Sequence, residues 1–232
     1  MATHQHQLDF ALLHKMARFS KIAYSCAMKA KSFGAEQGYL QYEYLDRDGA
    51  QCHIFGSDAD IIFAFRGTEK RKDGDIRASL NFWKQVSLIN GSERVHGGYF
   101  EEYNAIHHAL EYKYPDENSF ITIDVLKNKK VYFTGHSLGG ALATIACSRL
   151  FPDTDNELIT FGSPRVGNIA FSKMLKHIPH KRVVNNNDIV CNTPPRLMKF
   201  RHHGDKIYIN RLQKYNSIQL SKMLSPTDCM AC

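Results

Sequence analysis

The 232-residue chain contains no apolar run approaching 18 residues, so it offers no candidate transmembrane helix. Its first ten residues, M-A-T-H-Q-H-Q-L-D-F, lack a basic stretch followed by an apolar one. No secretory signal is read there, and a cytoplasmic setting is expected. Six cysteines are too few for a disulfide scaffold in a chain this long. Cys229 and Cys232 have C-x-x-C spacing, but no second pair completes a zinc site, and a terminal cysteine is atypical of a prenylation box. No role is assigned to them. No cluster has metal-ligand spacing, so neither a metal nor an organic cofactor is implied. The formal charge of +7 invites a nucleic-acid reading, yet the basic residues lie in short groups such as Lys70–Lys72 and Lys127–Lys130 without interleaved aromatics. Nucleic acid is therefore not the expected partner.

What is present is an ordinary globular balance, 43% hydrophobic and 23% charged, enough for a normal core. With no internal repeat and no linker, residues 1–232 read as one domain. Apolar residues at helical spacing run from Phe10 to Tyr24. Gly38 to Leu45 alternates as a strand, turns at Arg47-Asp48-Gly49, and returns over Cys52 to Phe55 as a hairpin. Asp60 to Phe65 is a continuous apolar run, as expected of a strand buried on both faces. A helix is expected over Tyr99 to Tyr114. Strands over Val131–Thr134, Glu157–Phe161, Lys181–Asn185 and Lys206–Asn210 alternate with helices over 138–150 and 168–176. That alternation predicts an α/β fold with a mostly parallel central sheet covered by helices on both faces.

The stretch V-Y-F-T-G-H-S-L-G-G, Val131 to Gly140, runs a strand directly into a serine between glycines, and an alanine-rich helix follows. A nucleophile has to project beyond its sheet, on a bend whose neighbours are small enough to let a substrate in. A helix starting at Leu138 would aim its free amides and dipole at the space above Ser137, where an oxyanion would form. Ser137 is the candidate nucleophile.

Five ordered blocks then carry a resemblance. They are F-A-F-R-G-T (Phe63–Thr68), V-H-G-G-Y (Val95–Tyr99), T-G-H-S-L-G-G-A-L-A (Thr134–Ala143), T-F-G-S-P-R-V-G-N (Thr160–Asn168) and V-V-N-N-N-D-I-V-C-N-T-P-P (Val183–Pro195). Together they resemble the class 3, fungal-type lipases of the α/β-hydrolase superfamily over roughly Gly38 to Asn210. The resemblance implies an α/β-hydrolase fold and hydrolysis of carboxylic esters, with lipid acyl esters as the expected substrate. It implies Ser137 as nucleophile, Asp188 as the acid of the triad, and the amides of Thr68 and Leu138 as the oxyanion hole. A carboxylate just past a strand end suits that role, because it can orient an imidazole across the carboxyl edge of the sheet.

The chain departs from the family at the base. Chain order Ser…Asp…His requires a histidine after Asp188, and only His202 and His203 follow it. In the family the histidine at the place of His202 is not the base, which comes later near the C-terminus. Three readings stay open. The chain ends before its base, or His202 or His203 has taken the role, or the base is lost and the protein binds lipid as a scaffold without turnover. His136 and His96 are not expected to serve, His96 being read as a structural histidine in a turn. Residues 69–90 are where family members often carry a lid. Here Leu80, Trp83 and Val86 at helical spacing, with Lys70, Arg71, Lys72 and Lys84, suggest an amphipathic lid in peripheral contact with a lipid surface, or a plain surface helix.

Overall fold

The computed structural model describes residues 9–67, 85–87, 91–113, 119–150, 154–185 and 188–209. The chain opens with α1 (Phe10–Ile22), capped where the Asp9 carboxylate accepts from the Leu12 amide at 3.0 Å. The sequence reading misses α2 (Ala27–Glu36), a helix whose buried face is only Ala30 and Gly34, too small to show an apolar stripe. β1 (Gln41–Arg47) and β2 (Ala50–Gly56) form the expected hairpin. Asp48 and Gly49 both take positive φ at its turn, matching the right-handed twist of the strands.

The main sheet adds β3 (Asp60–Phe65), β6 (Lys130–His136), β7 (Asp155–Phe161), β8 (His180–Asn185) and β9 (Asp205–Ile209). Its order is β1-β2-β3-β6-β7-β8-β9, antiparallel through β3 and parallel from β3 onward. The first three parallel steps cross over through α3 (Gly97–Lys113) and α4 (Ile123–Lys127), then α5 (Leu138–Arg149), then α6 (Ile169–Met174), while the step from β8 to β9 passes two short 3-10 turns, Val190–Asn192 and Arg196–Met198. A separate pair, β4 (Gln85–Ser87) with β5 (Arg94–His96), sets Val86 opposite Val95. The helical spacing read through Leu80, Trp83 and Val86 therefore fails at its end, where the β-branched valine finds a cross-strand partner instead. The rest of the expected lid, residues 69–84 and 88–90, lies outside the described residues.

Alternation along the central strands divides the core in two. Ile61, Phe63 and Phe65 of β3, with Val131 and Phe133 of β6, face α3 and α5; Ile62 and Ala64 face α1. The Phe63 and Phe133 rings stack at 5.1 Å, an aromatic pair worth about 0.5–1.5 kcal/mol beyond its buried area. On the other face Phe19 meets the rings of Phe33, Tyr39 and Phe55 edge-on. α5 is buried all round from Leu138 to Cys147, because its glycines and alanines let it lie close to the sheet. Both faces of β3 and β6 are thus sealed, and their carboxyl ends are held rigidly at one edge.

Candidate active site

Four chain segments meet at the carboxyl edge of the parallel strands: 66–67 after β3, Ser137 after β6, Gly162 after β7 and Asp188 after β8. Ser137 sits at φ 54°, ψ −126°, a conformation that non-glycine residues avoid. Two bonds hold it there: its amide donates to the Phe161 carbonyl at 2.9 Å and its carbonyl accepts from the Gly140 amide at 3.0 Å. The side chain is half-buried at the head of α5. The Leu138 amide, in the first turn of α5, has no backbone acceptor among the described residues, as the opening amides of a helix do not.

Gly139 explains why the corner closes so tightly. A Cβ there would overlap the Phe65 carbonyl oxygen and stand 2.9 Å from the Gly67 nitrogen. The elbow and the segment leading to Thr68 are in backbone contact. Thr68 itself, the expected first oxyanion donor, lies outside the described residues.

Asp188 follows β8, two strands from Ser137. A Cβ on Gly162, at φ 58°, would lie 2.8 Å from Asp188 Oδ2 and 3.5 Å from His136 Nε2. The carboxylate therefore leans over the end of β7 toward the elbow. Asp188 Oδ1 accepts from the Val190 amide at 2.9 Å, and the Cys191 thiol approaches Oδ2 at 3.7 Å. Burial of the thiol, and after it that carboxylate, push Cys191 up to about 12.

His202 is not brought to this pair. Its Nε2 lies 2.8 Å from the Cys191 carbonyl, which only accepts, so Nε2 carries the proton. A triad base needs Nε2 free to take the serine proton and Nδ1–H on the carboxylate. Burial and the nearby Arg182 push His202 down to about 4. His203 turns instead toward His180, Nδ1 to Nδ1 at 3.2 Å. His136, beside the nucleophile, places Nδ1 3.0 Å from the Tyr24 hydroxyl. His96 is fully buried, stacked on Tyr99 at 4.0 Å and pushed down by burial to about 4. Tyr24 belongs to none of the five blocks, and only the fold brings its hydroxyl to the elbow; Cys191 lies within the fifth block, three residues past Asp188. Among the described residues, no group of three or more His, Cys, Asp and Glu is placed to hold a metal ion.

A strained serine between a parallel strand and a buried helix, with a carboxylate leaning in from two strands away, defines the α/β-hydrolase architecture. The model of the family described as Lipase (class 3) matches residues 62–198, more than half of the sequence, and the chain belongs to that family. The lipase of Rhizomucor miehei is 29% identical over 181 residues, covering 75% of this chain and 48% of that protein. A secreted mono- and diacylglycerol lipase of Fusarium solani is 38% identical over 169 residues, covering 70% and 47%. The chain thus spans about half the length of these curated relatives. The solved Rhizomucor miehei triacylglyceride lipase superposes with a TM-score of 0.69 at 25% identity, covering 90% of this chain and 82% of that one.

Proposed function

We propose that this chain hydrolyses carboxylic acyl esters of lipids, acylglycerols or phospholipids, through an acyl-enzyme on Ser137. The observation that carries the reading is the strained serine at the head of α5 with Asp188 Oδ2 poised over Gly162 beside it. Ser137 Oγ attacks the ester carbonyl and gives its proton to a general base; Asp188 would orient an imidazole in that role, one that no described histidine fills. The oxyanion is met by the amides of Leu138 and Thr68. The alcohol departs, and water then cleaves the acyl-serine. Peripheral contact with a lipid surface is supported by Ile189 and Leu197, 56% and 94% exposed, on the segment that follows Asp188. A cytoplasmic setting belongs to the same proposal and is supported by the free thiols of Cys52, Cys147 and Cys191.

A second reading, a lipid-binding protein without turnover, is favoured by one observation: among the described residues no imidazole bonds to Asp188. A fluorophosphonate probe separates the two. Labelling of the folded chain that disappears in Ser137→Ala supports the hydrolase. Binding to lipid vesicles with no labelling supports the binder and overturns the first reading. Comparing monomeric with emulsified esters then tests the lipid preference, and a rate indifferent to aggregation would argue for a small soluble ester.

A further inference from the structure

Behind the segment that carries Asp188 lies a small cavity, with room for about one water-sized guest, lined by Arg182, Arg201, His180, His202 and His203 among others. Arg182 projects from β8, opposite Thr160 on β7 and Lys206 on β9. It is only 9% exposed, and its side chain forms no hydrogen bond or ion pair with any described residue. Its Nε is buried without an acceptor. A guanidinium keeps its charge at any pH a protein survives, and a charge largely withdrawn from water with no bonded counter-charge is costly.

Among the described residues no carboxylate bonds it. Arg165 donates to the Asn192 and Pro194 carbonyls, and Arg201 to the Arg196 and Phe200 carbonyls, so neither brings a carboxylate. The carboxylate whose field reaches Arg182 is that of Asp205, on the exposed edge strand and without a hydrogen bond to it. The histidines add none. His180 and His203 share a proton between their Nδ1 atoms, His180 Nε2 meets Thr160 Oγ1 at 3.0 Å, and His202 donates to the Cys191 carbonyl. Burial and Arg182 hold all three imidazoles below their usual range, hence neutral at pH 7.

We propose that this cavity is a binding site for a small inorganic anion of the chloride class, held by the Arg182 guanidinium. A water would satisfy Nε but leave the charge standing. A tetrahedral oxyanion is too large for the space. The site also has a route to Asp188. His202 and Arg165 both bond the backbone of residues 191–194, and the Cys191 thiol and Val190 amide hold Asp188. On the reading of Asp188 as the triad acid, an occupied cavity steadies His202, whose bond to the Cys191 carbonyl holds the segment that follows that carboxylate.

The test replaces sodium gluconate with sodium chloride at constant ionic strength. The expected result is a saturable rise in melting temperature, about 3–6 °C at tenfold above half-saturation, lost in Arg182→Met. Should that variant fail to fold, crystals of the unmodified chain grown in sodium bromide decide, through an anomalous peak in the cavity within hydrogen-bonding reach of Arg182. A melting temperature that follows ionic strength alone, with water rather than bromide in the cavity, overturns the proposal.

Discussion

Gly139→Ala tests the close approach on which the candidate oxyanion hole depends. In an isolated helix this change is favourable, by about 1 kcal/mol. In this fold the new methyl overlaps the Phe65 carbonyl oxygen and stands 2.9 Å from the Arg66 carbonyl carbon and the Gly67 nitrogen. All three are backbone atoms at the end of β3, so no rotamer relieves them. The elbow and the 65–67 segment have to part by about 0.5–1 Å, an overpacking cost of about 1–3 kcal/mol. The net effect expected is a loss of about 0–2 kcal/mol, a fall of up to about 8 °C in melting temperature. The rate suffers more, because Gly67 leads directly to Thr68. Losing one oxyanion donor costs about 10²–10³-fold. The assay is the second-order rate of fluorophosphonate labelling beside a thermal melt. Gly49→Ala is the control: its φ of 84° imposes strain, but nothing lies within 4 Å of the added methyl, so stability drops and the rate does not. A Gly139→Ala protein that labels within threefold of the parent would refute the reasoning.

Three other outcomes are expected. His202→Gln retains a donor toward the Cys191 carbonyl, so labelling of Ser137 should fall less than tenfold, whereas removing a true triad base costs about 10⁴-fold or more; a loss on that larger scale would return His202 to the triad. Burial pushes His53, His96, His202 and His203 to about 4, against 6.5 for an ordinary imidazole, so the unfolded chain binds more protons between pH 6.5 and 4. Stability should therefore fall as pH drops through that window, by up to about 1.4 kcal/mol per unit for each group, and denaturant melts of His96→Gln should show a shallower slope; an unchanged slope would contradict the assignment. Among the four described cysteines only Cys26 is exposed, while burial pushes the Cys147 and Cys191 thiols up, so brief iodoacetamide treatment read by mass spectrometry should modify Cys26 and spare Cys52, Cys147 and Cys191.

Local patterns in the sequence determined the central strands, the Asp48-Gly49 turn and the Ser137 corner. Each rests on short-range physics: an apolar run can only be buried, a D-G pair accepts positive φ, and a nucleophile on a bend needs small neighbours. α2 left no such trace, because its contact with the core is made by Ala30 and Gly34, and Val86 matched a helical period while its partner, Val95, lay nine residues on. Where Asp188 and the histidines come to lie was decided by tertiary structure. Asp188 reaches the elbow because β7 and β8 are neighbours and Gly162 leaves room above the strand end. His202 follows Asp188 by only 14 residues, yet its ring is committed to the Cys191 carbonyl on the cavity side. Chain order fixes which residues can meet, but the direction of a side chain follows from the strand, the register and the partners that burial forces on it.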